Sequence, residues 1–442
     1  MLCLVVCPAC TRRHESAQEN VASRAEGEPT KLVASCKYCL AAYPPGIAYC
    51  ADCQRRAAHP GSGAKLWETD LPLKPESYAS PPAIGGDSVF IGSNKGELFC
   101  LDTNGGALLW QKEGCGSAYS AACAGEKVLA TCWGKIWTLR CLSASTGETE
   151  TDFALSSDSR PPNLVPALDG GRVYAATGTR HSFTDGLTCW DAGSGTRKWR
   201  FGMSNTCQSP TIAAERVYVG SWDGSFYCLD KERGSALWRA DFEQTKGGFS
   251  KQPPAVAEGK VFVMSGLYFG YAIICLAEED GRVVWRKDGI GFHRYPPAVH
   301  SGRVYFATQS GAYCVDAQTG RTLWRTALGN GAKAAAVSIC GNVFVTGTTR
   351  NGSFGVWCLH GSDGTVAWEY DSNDIVEDWL KDYDFGGPPV VVRGRAIACT
   401  DKGKVICLDA GEADGWPMLG GGPGRTGEPS STRVQEAVDG NR

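Results

Sequence analysis

Four cysteines near the N-terminus have the spacing of a metal site. Cys36 and Cys39 are separated by two residues, ten residues follow, and Cys50 and Cys53 repeat the pair. A two-residue spacing lets the backbone bend around one ion, so two such pairs supply four thiolates in a tetrahedron. Zn²⁺ is the ion that this ligand set favours. The sequence therefore predicts a structural zinc site.

The segment between these two pairs supports that interpretation. Residues Tyr43 to Tyr49 form a proline turn that leads into an Ala-Tyr-Cys phrase, which resembles the short zinc ribbon. The alternative, two redox-active or unpaired dithiols, is disfavoured because no βαβ pattern of a thioredoxin surrounds the cysteines. The resemblance implies a zinc-ribbon module in residues 1–60.

A third pair, Cys7 and Cys10, has no obvious second half. Two arrangements remain open. In the first, His14 or Cys3 helps this pair to form a second zinc site. In the second, Cys7 and Cys10 bind zinc together with Cys36 and Cys39 in a longer ribbon, and Cys50 and Cys53 are not ligands of that site.

An internal repeat determines the rest of the fold. One sequence pattern recurs along the chain and ends on a tryptophan each time. It consists of Val-Tyr-Val-Gly-Ser, then Asp-Gly, then Cys-Leu-Asp, and then a Thr-Gly or Gly-Gly turn. From Trp67 to Trp368 the seven intervals average about 43 residues. Each unit reads as four short strands, with a small apolar strand first and a polar-edged strand last. This length and strand count are typical of a propeller blade.

The ends of the repeat predict how the ring closes. The last unit ends at Asp409-Ala410-Gly411, and Trp416-Pro417 interrupts any strand after it. A single outer strand, residues 64–69, precedes the first unit. If it completes the last blade, no sheet edge remains exposed. The sequence therefore predicts an all-β, eight-bladed propeller of four-stranded blades over residues 64–411, closed by its N-terminal outer strand.

The repeat resembles the pyrroloquinoline-quinone-like repeat of quinoprotein-type propellers. The resemblance rests on Val-Tyr-x-Gly-Ser-x-Asp-Gly, Leu-Asp-x-x-Thr-Gly and the following tryptophan, and it covers about residues 64–411. It implies that each tryptophan docks one blade on the next. It also raises the possibility of quinone-dependent redox chemistry.

The residues that such chemistry needs are not evident. No Cys-Cys dipeptide and no C-x-x-C-H haem motif occurs in the sequence, and the six histidines form no catalytic or metal spacing. The sequence thus disfavours pyrroloquinoline quinone and favours a non-catalytic scaffold that binds protein partners through the propeller face and the zinc ribbon. The alternative is a quinone-dependent oxidoreductase that acts on alcohols or sugars.

Eight further cysteines occupy one position of the repeat, just before Leu-Asp or its variant: Cys100, Cys141, Cys189, Cys228, Cys275, Cys314, Cys358 and Cys407. One cysteine per blade at an equivalent site predicts isolated, buried, small apolar side chains. Eight free thiols favour a reducing, cytoplasmic location.

Three cations are expected at one mouth of the channel. Alignment of the inner strands places Lys251, Arg294 and Lys333 at one equivalent position in three consecutive blades. Such an arc would attract an acidic segment or a small anion. The chain's own segment 369–385, which carries seven acidic residues and one lysine, is the candidate. We expect it to be a loop that lies over this mouth as a lid.

Composition limits the remaining possibilities. The chain has 442 residues, a net charge of −3 and 56 glycines. This charge excludes binding of nucleic acid through bulk positive charge. No run approaches the length of a membrane helix, and no signal peptide is expected at the start. Residues 412–442 are predicted to be an extended tail.

Overall fold

The computed structural model describes most of the repeat region and two short N-terminal strands. The described residues are 34–35, 42–43, 60–115, 121–132, 137–156, 165–177, 186–203, 209–221, 224–242, 253–265, 271–291, 295–337, 341–376 and 387–413. Strands β1 (Ala34–Ser35) and β2 (Ala42–Tyr43) pair with each other in an antiparallel hairpin. The other strands form eight four-stranded antiparallel sheets, so the predicted eight blades are confirmed.

Blades 1 to 4 follow one another along the chain. Their strands are β4 (Ala83–Gly85), β5 (Ser88–Gly92), β6 (Glu97–Asp102) and β7 (Leu108–Glu113) in blade 1; β8 (Ala122–Ala124), β9 (Lys127–Cys132), β10 (Trp137–Ser143) and β11 (Thr149–Ser156) in blade 2; β12 (Ala167–Asp169), β13 (Arg172–Thr177), β14 (Gly186–Asp191) and β15 (Arg197–Gly202) in blade 3; and β16 (Thr211–Ala213), β17 (Arg216–Gly220), β18 (Ser225–Asp230) and β19 (Ala236–Asp241) in blade 4.

Blades 5 to 8 complete the ring. Their strands are β20 (Ala255–Ala257), β21 (Lys260–Ser265), β22 (Ala272–Ala277) and β23 (Val283–Asp288) in blade 5; β24 (Ala298–His300), β25 (Arg303–Thr308), β26 (Gly311–Asp316) and β27 (Thr322–Thr326) in blade 6; β28 (Gly331–Val337), β29 (Asn342–Thr348), β30 (Ser353–His360) and β31 (Val366–Ile375) in blade 7; and β32 (Val390–Val392), β33 (Arg395–Cys399), β34 (Lys404–Asp409) and β3 (Lys65–Asp70) in blade 8.

Side-chain patterning explains the position of each strand within a blade. The second and third strands of a blade are buried along almost their whole length, because each lies between two neighbouring blades. The fourth strand alternates between exposed and partly buried residues, as expected for an outer strand with one face in solvent. The first strands of successive blades lie beside one another around the central channel.

The two ends of the ring share one turn. The backbone N–H and hydroxyl of Ser62 donate to the Asp409 carboxylate at 2.8 and 2.7 Å. In blade 6 the equivalent turn lies in one continuous stretch of chain, and there the backbone N–H and hydroxyl of Thr319 donate to the Asp316 carboxylate in the same way. Strand β3 then pairs with β34, which confirms the predicted closure by the N-terminal outer strand.

The turn also fixes the limits of the propeller. Gly61-Ser62-Gly63 reads as a linker in the sequence, but it is part of blade 8, since the Gly63 N–H donates to the Asp409 carbonyl. At the other end, the Ala413 carbonyl accepts from the Gly394 N–H. The contacts thus extend the propeller slightly beyond the predicted range 64–411.

Tryptophans join the blades as the resemblance implies. Seven indole Nε1 atoms each donate to a backbone carbonyl of the next blade at 2.9–3.1 Å, those of Trp67, Trp110, Trp199, Trp238, Trp285, Trp324 and Trp368. The indole ring packs on a glycine of that blade, as Trp324 packs on Gly364. Phe153 stands at the eighth position and lacks the donor, but it is fully buried and contacts Trp190.

The eight repeat cysteines are completely buried and form no disulfide, as predicted. Burial raises the pKa of the Cys228 thiol to about 11 and that of Cys275 to about 12. These thiols are therefore protonated at neutral pH and act as small apolar side chains. Among the described residues, no helix has the length and apolar character needed to cross a membrane.

Candidate functional site

The two faces of the ring differ in the lengths of their connections. On one face, two residues join the first and second strands in seven of the eight blades. On the same face, five residues join the third and fourth strands in all seven blades in which these two strands are consecutive in the chain. We call this the turn face. On the other face, connections within a blade have two to eight residues and connections between blades have four to fourteen. We call this the loop face, and its variation makes it the candidate functional surface of the ring.

Side chains fill part of the channel mouth on the loop face. Tyr295, at the entry to blade 6, is only 4% exposed. A Cβ atom built on Gly387 would lie 2.3 Å from the Pro81 ring and 3.1 Å from the Tyr295 ring. These three residues therefore pack together where the inner strands of blades 6, 8 and 1 begin.

A buried carboxylate holds the connection that enters blade 1. Glu97, at the start of β6, is 1% exposed and accepts hydrogen bonds from the hydroxyls of Ser93 and Ser77 at 2.8 and 3.2 Å. It also accepts from the Lys74 backbone N–H at 3.2 Å. Hydrogen bonds to a charged group are among the stronger ones, so this sector of the loop face is firmly ordered.

A shallow groove lies next to this sector, between blades 7 and 8. Its lining combines apolar and charged side chains: Phe354, Asp374, Ile375, Val376, Thr400, Asp401 and Lys402. Ile375 ends the outer strand of blade 7 and is 59% exposed. Lys404 Nζ lies 3.1 Å from Asp374 Oδ1, and this hydrogen bond raises the pKa of Lys404. The groove thus offers an apolar contact that is bordered by fixed charges.

The predicted cationic arc lies mostly outside the described residues. Lys251 and Arg294 are among the residues that the structure does not describe. Lys333 lies on the inner strand β28, at a β-bulge where the pairing with β29 shifts between Ala332 and Ala334. The arc as a recognition site stays a prediction.

The acidic segment 369–385 is not a loop throughout, and this part of the prediction was wrong. Its first seven residues belong to β31, where Glu369 pairs with Trp357 and Asp371 pairs with Gly355. Asp371 accepts from the Ser353 hydroxyl, and Asp374 forms the ion pair with Lys404. Three of the expected lid carboxylates are therefore part of an outer strand. Residues 377–386 lie outside the described residues.

The predicted zinc ligands also lie outside the described residues. This holds for the whole set, Cys7, Cys10, Cys36, Cys39, Cys50 and Cys53. The hairpin of β1 and β2 flanks one predicted pair, with Ser35 opposite Ala42 in the register. In the described part of the chain, no three His, Cys, Asp or Glu side chains are placed to hold a metal ion.

A cluster that the sequence did not reveal lies between blades 1 and 2. Cys115 and Cys132 appeared to be ordinary strand or loop residues, but their sulfur atoms are 2.6 Å apart and Arg140 contacts the first of them. The available signal was that both lie off the repeat's cysteine position, near strand ends on the loop face. Their contact joins different blades, so spacing alone could not find it.

Comparison with solved structures shows the same fold. The structure of BamB from Moraxella catarrhalis matches with a TM-score of 0.56 at 18% identity, over 78% of this chain and 97% of that chain. The quinohemoprotein alcohol dehydrogenase ADHIIG of Pseudomonas putida HK5 matches with a TM-score of 0.61 at 13% identity, over 79% of this chain and 76% of that one.

Two curated relatives match parts of the sequence. The serine/threonine-protein kinase AfsK of Streptomyces griseus is 29% identical over 240 residues, which are 49% of this chain and 28% of the kinase. The outer membrane protein assembly factor BamB of Burkholderia pseudomallei (strain K96243) is 26% identical over 209 residues, 46% of this chain and 52% of the relative. The chain thus spans about half or less of the length of these relatives.

A family model matches a much larger share of the sequence. Its matches cover residues 56–150, 137–370 and 270–411, which include all eight blades. The predicted pyrroloquinoline-quinone-like propeller is thereby confirmed. The chain belongs to the family described as outer membrane protein assembly factor BamB.

Proposed function

We propose that this chain is a non-catalytic scaffold that binds a protein partner on the loop face of its propeller. The observation that carries the proposal is the contrast between near-uniform connections on the turn face and connections of very different length on the loop face. A rigid ring that varies only its loops on one side is suited to recognition. The name of the family, an assembly factor, supports a role in protein association.

The groove between blades 7 and 8 is the best described part of this surface. An exposed apolar side chain beside charged ones is typical of a protein-binding site, where the apolar contact gives affinity and the charges give selectivity. Ile375 supplies the apolar contact, and Lys402 supplies an exposed charge beside it. The cationic arc of Lys251, Arg294 and Lys333 would extend this surface toward an acidic segment of the partner.

The test compares matched substitutions on purified protein. The intact chain is used to capture its partner from a native extract, and affinities of variants for the purified partner are then measured. Ile375→Glu combined with Lys402→Glu should weaken binding about tenfold or more. Leu109→Glu is the control, because Leu109 is also on an outer strand and is 55% exposed, yet lies away from the groove. If only the control weakens binding, or if neither does, the groove is not part of the partner site.

The zinc ribbon is proposed as a second, independent module. The hairpin of β1 and β2 supports it, because a short hairpin around a C-x-x-C turn is a common zinc-binding arrangement. Metal analysis should give at least one zinc per chain, bound by Cys36, Cys39, Cys50 and Cys53. Cys36→Ser should lower the zinc content and leave the thermal transition of the propeller unchanged. A protein that contains no zinc would contradict this module.

We also propose that the protein is cytoplasmic and has no quinone-dependent activity. The eight buried repeat thiols, which form no disulfide, support a reducing, cytoplasmic environment. Addition of pyrroloquinoline quinone, Ca²⁺ and an artificial electron acceptor should give no turnover of alcohols or sugars. Turnover above that of a heat-denatured sample would instead favour the oxidoreductase.

A further inference from the structure

Two cysteines from adjacent blades are in direct contact near the loop face. Cys115 follows β7, the outer strand of blade 1, and Cys132 is the last residue of β9 in blade 2. Their Sγ atoms are 2.6 Å apart, and both side chains are buried. No backbone movement is needed to bring these two sulfurs within reach of each other.

A fixed cation lies on one of the two sulfurs. Arg140 Nη1 is 3.2 Å from Cys115 Sγ. Two hydrogen bonds to Asp152, of 2.7 Å from Nε and 3.0 Å from Nη2, hold the guanidinium in this orientation. The Arg140 side chain is 26% exposed, so the cluster reaches solvent on this side.

The two thiols therefore differ in acidity. The hydrogen bond from Cys132, together with Arg140, lowers the pKa of Cys115 against the effect of burial. The hydrogen bond to Cys115, together with burial, raises the pKa of Cys132. Both shifts favour the arrangement in which a Cys115 thiolate accepts a hydrogen bond from the Cys132 thiol. A thiolate is the reactive form of cysteine.

The repeat cysteines provide the contrast within the same molecule. In these cysteines burial outweighs the effect of nearby cations: it raises the pKa of Cys100 to about 11, and that of Cys189 to about 11 although Arg172 acts to lower it. A reagent that reacts with thiolates should therefore select the Cys115–Cys132 pair among the described cysteines.

We propose that Cys115 and Cys132 form an oxidation site that closes to a disulfide between blades 1 and 2 when the protein meets a peroxide. The Cys115 thiolate attacks one peroxide oxygen, the O–O bond breaks, and the departing hydroxide takes a proton to become water. Cys115 is then a sulfenic acid. The Cys132 sulfur attacks the Cys115 sulfur, the S–O bond breaks, and hydroxide leaves with the Cys132 proton as water. Two thiols are oxidised by two electrons and one peroxide is reduced to two waters.

The disulfide would tie the end of one outer strand to the neighbouring blade on the loop face. It would stabilise that interface by restricting the unfolded chain. Its formation is independent of the proposed scaffold function, because it depends only on these two cysteines and Arg140.

Peptide mapping of the intact protein tests the proposal. After treatment with a small excess of hydrogen peroxide at pH 7 and alkylation of the remaining thiols, a non-reducing digest should contain one major cross-linked peptide that joins Cys115 to Cys132. In Cys132→Ser the disulfide cannot form, so a sulfenic acid should be trapped on Cys115 with dimedone. Cys123→Ser is the matched control, since Cys123 is a nearby buried cysteine outside the pair, and it should leave the cross-link unchanged.

The role of Arg140 as a positioning residue has its own readout. In the native protein the oxidation rate should rise with pH around a midpoint that lies below the usual pKa of a cysteine thiol. Arg140→Gln should shift the midpoint upward and slow the reaction at pH 7 about tenfold, while Arg140→Lys should restore part of the rate. If both thiols remain fully alkylatable after peroxide treatment, or if the repeat cysteines are oxidised equally fast, the pair is only two buried thiols and the proposal is overturned.

Discussion

At the scale of single residues, the ring depends on a contact between an indole and a glycine. Trp324 donates to the Gly361 carbonyl at 3.0 Å and packs on Gly364, whose φ is +75°. A Cβ on this glycine would lie 2.5 Å from the indole ring. Both the left-handed backbone and the close approach exclude a side chain at this position.

Replacement of Gly364 should therefore be far more costly than replacement of a glycine with the same backbone but open space. Gly364→Ala should lower the free energy of unfolding by about 3 kcal/mol, from backbone strain and overpacking together. Gly352→Ala is the control, because Gly352 has φ +82° and no atom within 4 Å of a built Cβ. It should cost only about 1 kcal/mol, from the backbone alone. Equal losses in chemical denaturation would show that indole docking contributes little.

A partly buried histidine should make stability depend on pH. Burial lowers the pKa of His300 to about 4, and its Nε2 has no hydrogen-bond partner among the described residues. In the unfolded chain the pKa is near 6.5, so the unfolded state binds the proton first as the pH falls. The stability from the neutral ring is complete above pH 6.5 and is lost as the pH falls toward 4, by about 2 kcal/mol. Urea denaturation at pH 7, 5.5 and 4 should show this loss in the native protein and a smaller loss in His300→Gln. Parallel pH profiles would contradict the assignment.

At the scale of elements, the eighth blade is made from both ends of the propeller. Strand β3 supplies the outer strand, and Ser62 completes the turn that begins at Asp409. The repeat spacing predicted this closure because the missing strand and the extra strand are both visible in the sequence. The second part of the outer strand β31, from residue 369, was expected to be a loop, because its acidic and polar residues give no hydrophobic run.

Shortening the chain at either side of β3 tests the closure. A protein that begins at residue 60 should retain the cooperative thermal transition, because every contact of blade 8 is present. A protein that begins at residue 72 loses β3 and leaves β34 as an unpaired edge, so it should aggregate or melt at least about 10 °C lower. If both proteins melt alike, blade 8 does not need the N-terminal strand.

At the scale of the whole molecule, the regular repeats made the ring and its tryptophan contacts predictable, whereas contacts between blades outside the repeat positions and the function of the loops were not. Local spacing of Trp, Gly and Asp encodes each blade, so the fold could be predicted from the sequence. The contact of Cys115 with Cys132 arises only when two blades come together. The zinc site and the cationic arc of Lys251, Arg294 and Lys333 remain predictions, because most of their residues lie outside the described ranges.

Hydrogen–deuterium exchange of the intact protein, alone and with its captured partner, tests the central claim that the loop face is the binding surface. We expect added protection in connections of the loop face, including the 349–352 and 400–403 turns that border the groove. The five-residue turns of the opposite face, such as 317–321, should exchange at unchanged rates. Protection confined to the turn face, or to outer strands away from the groove, would contradict the account.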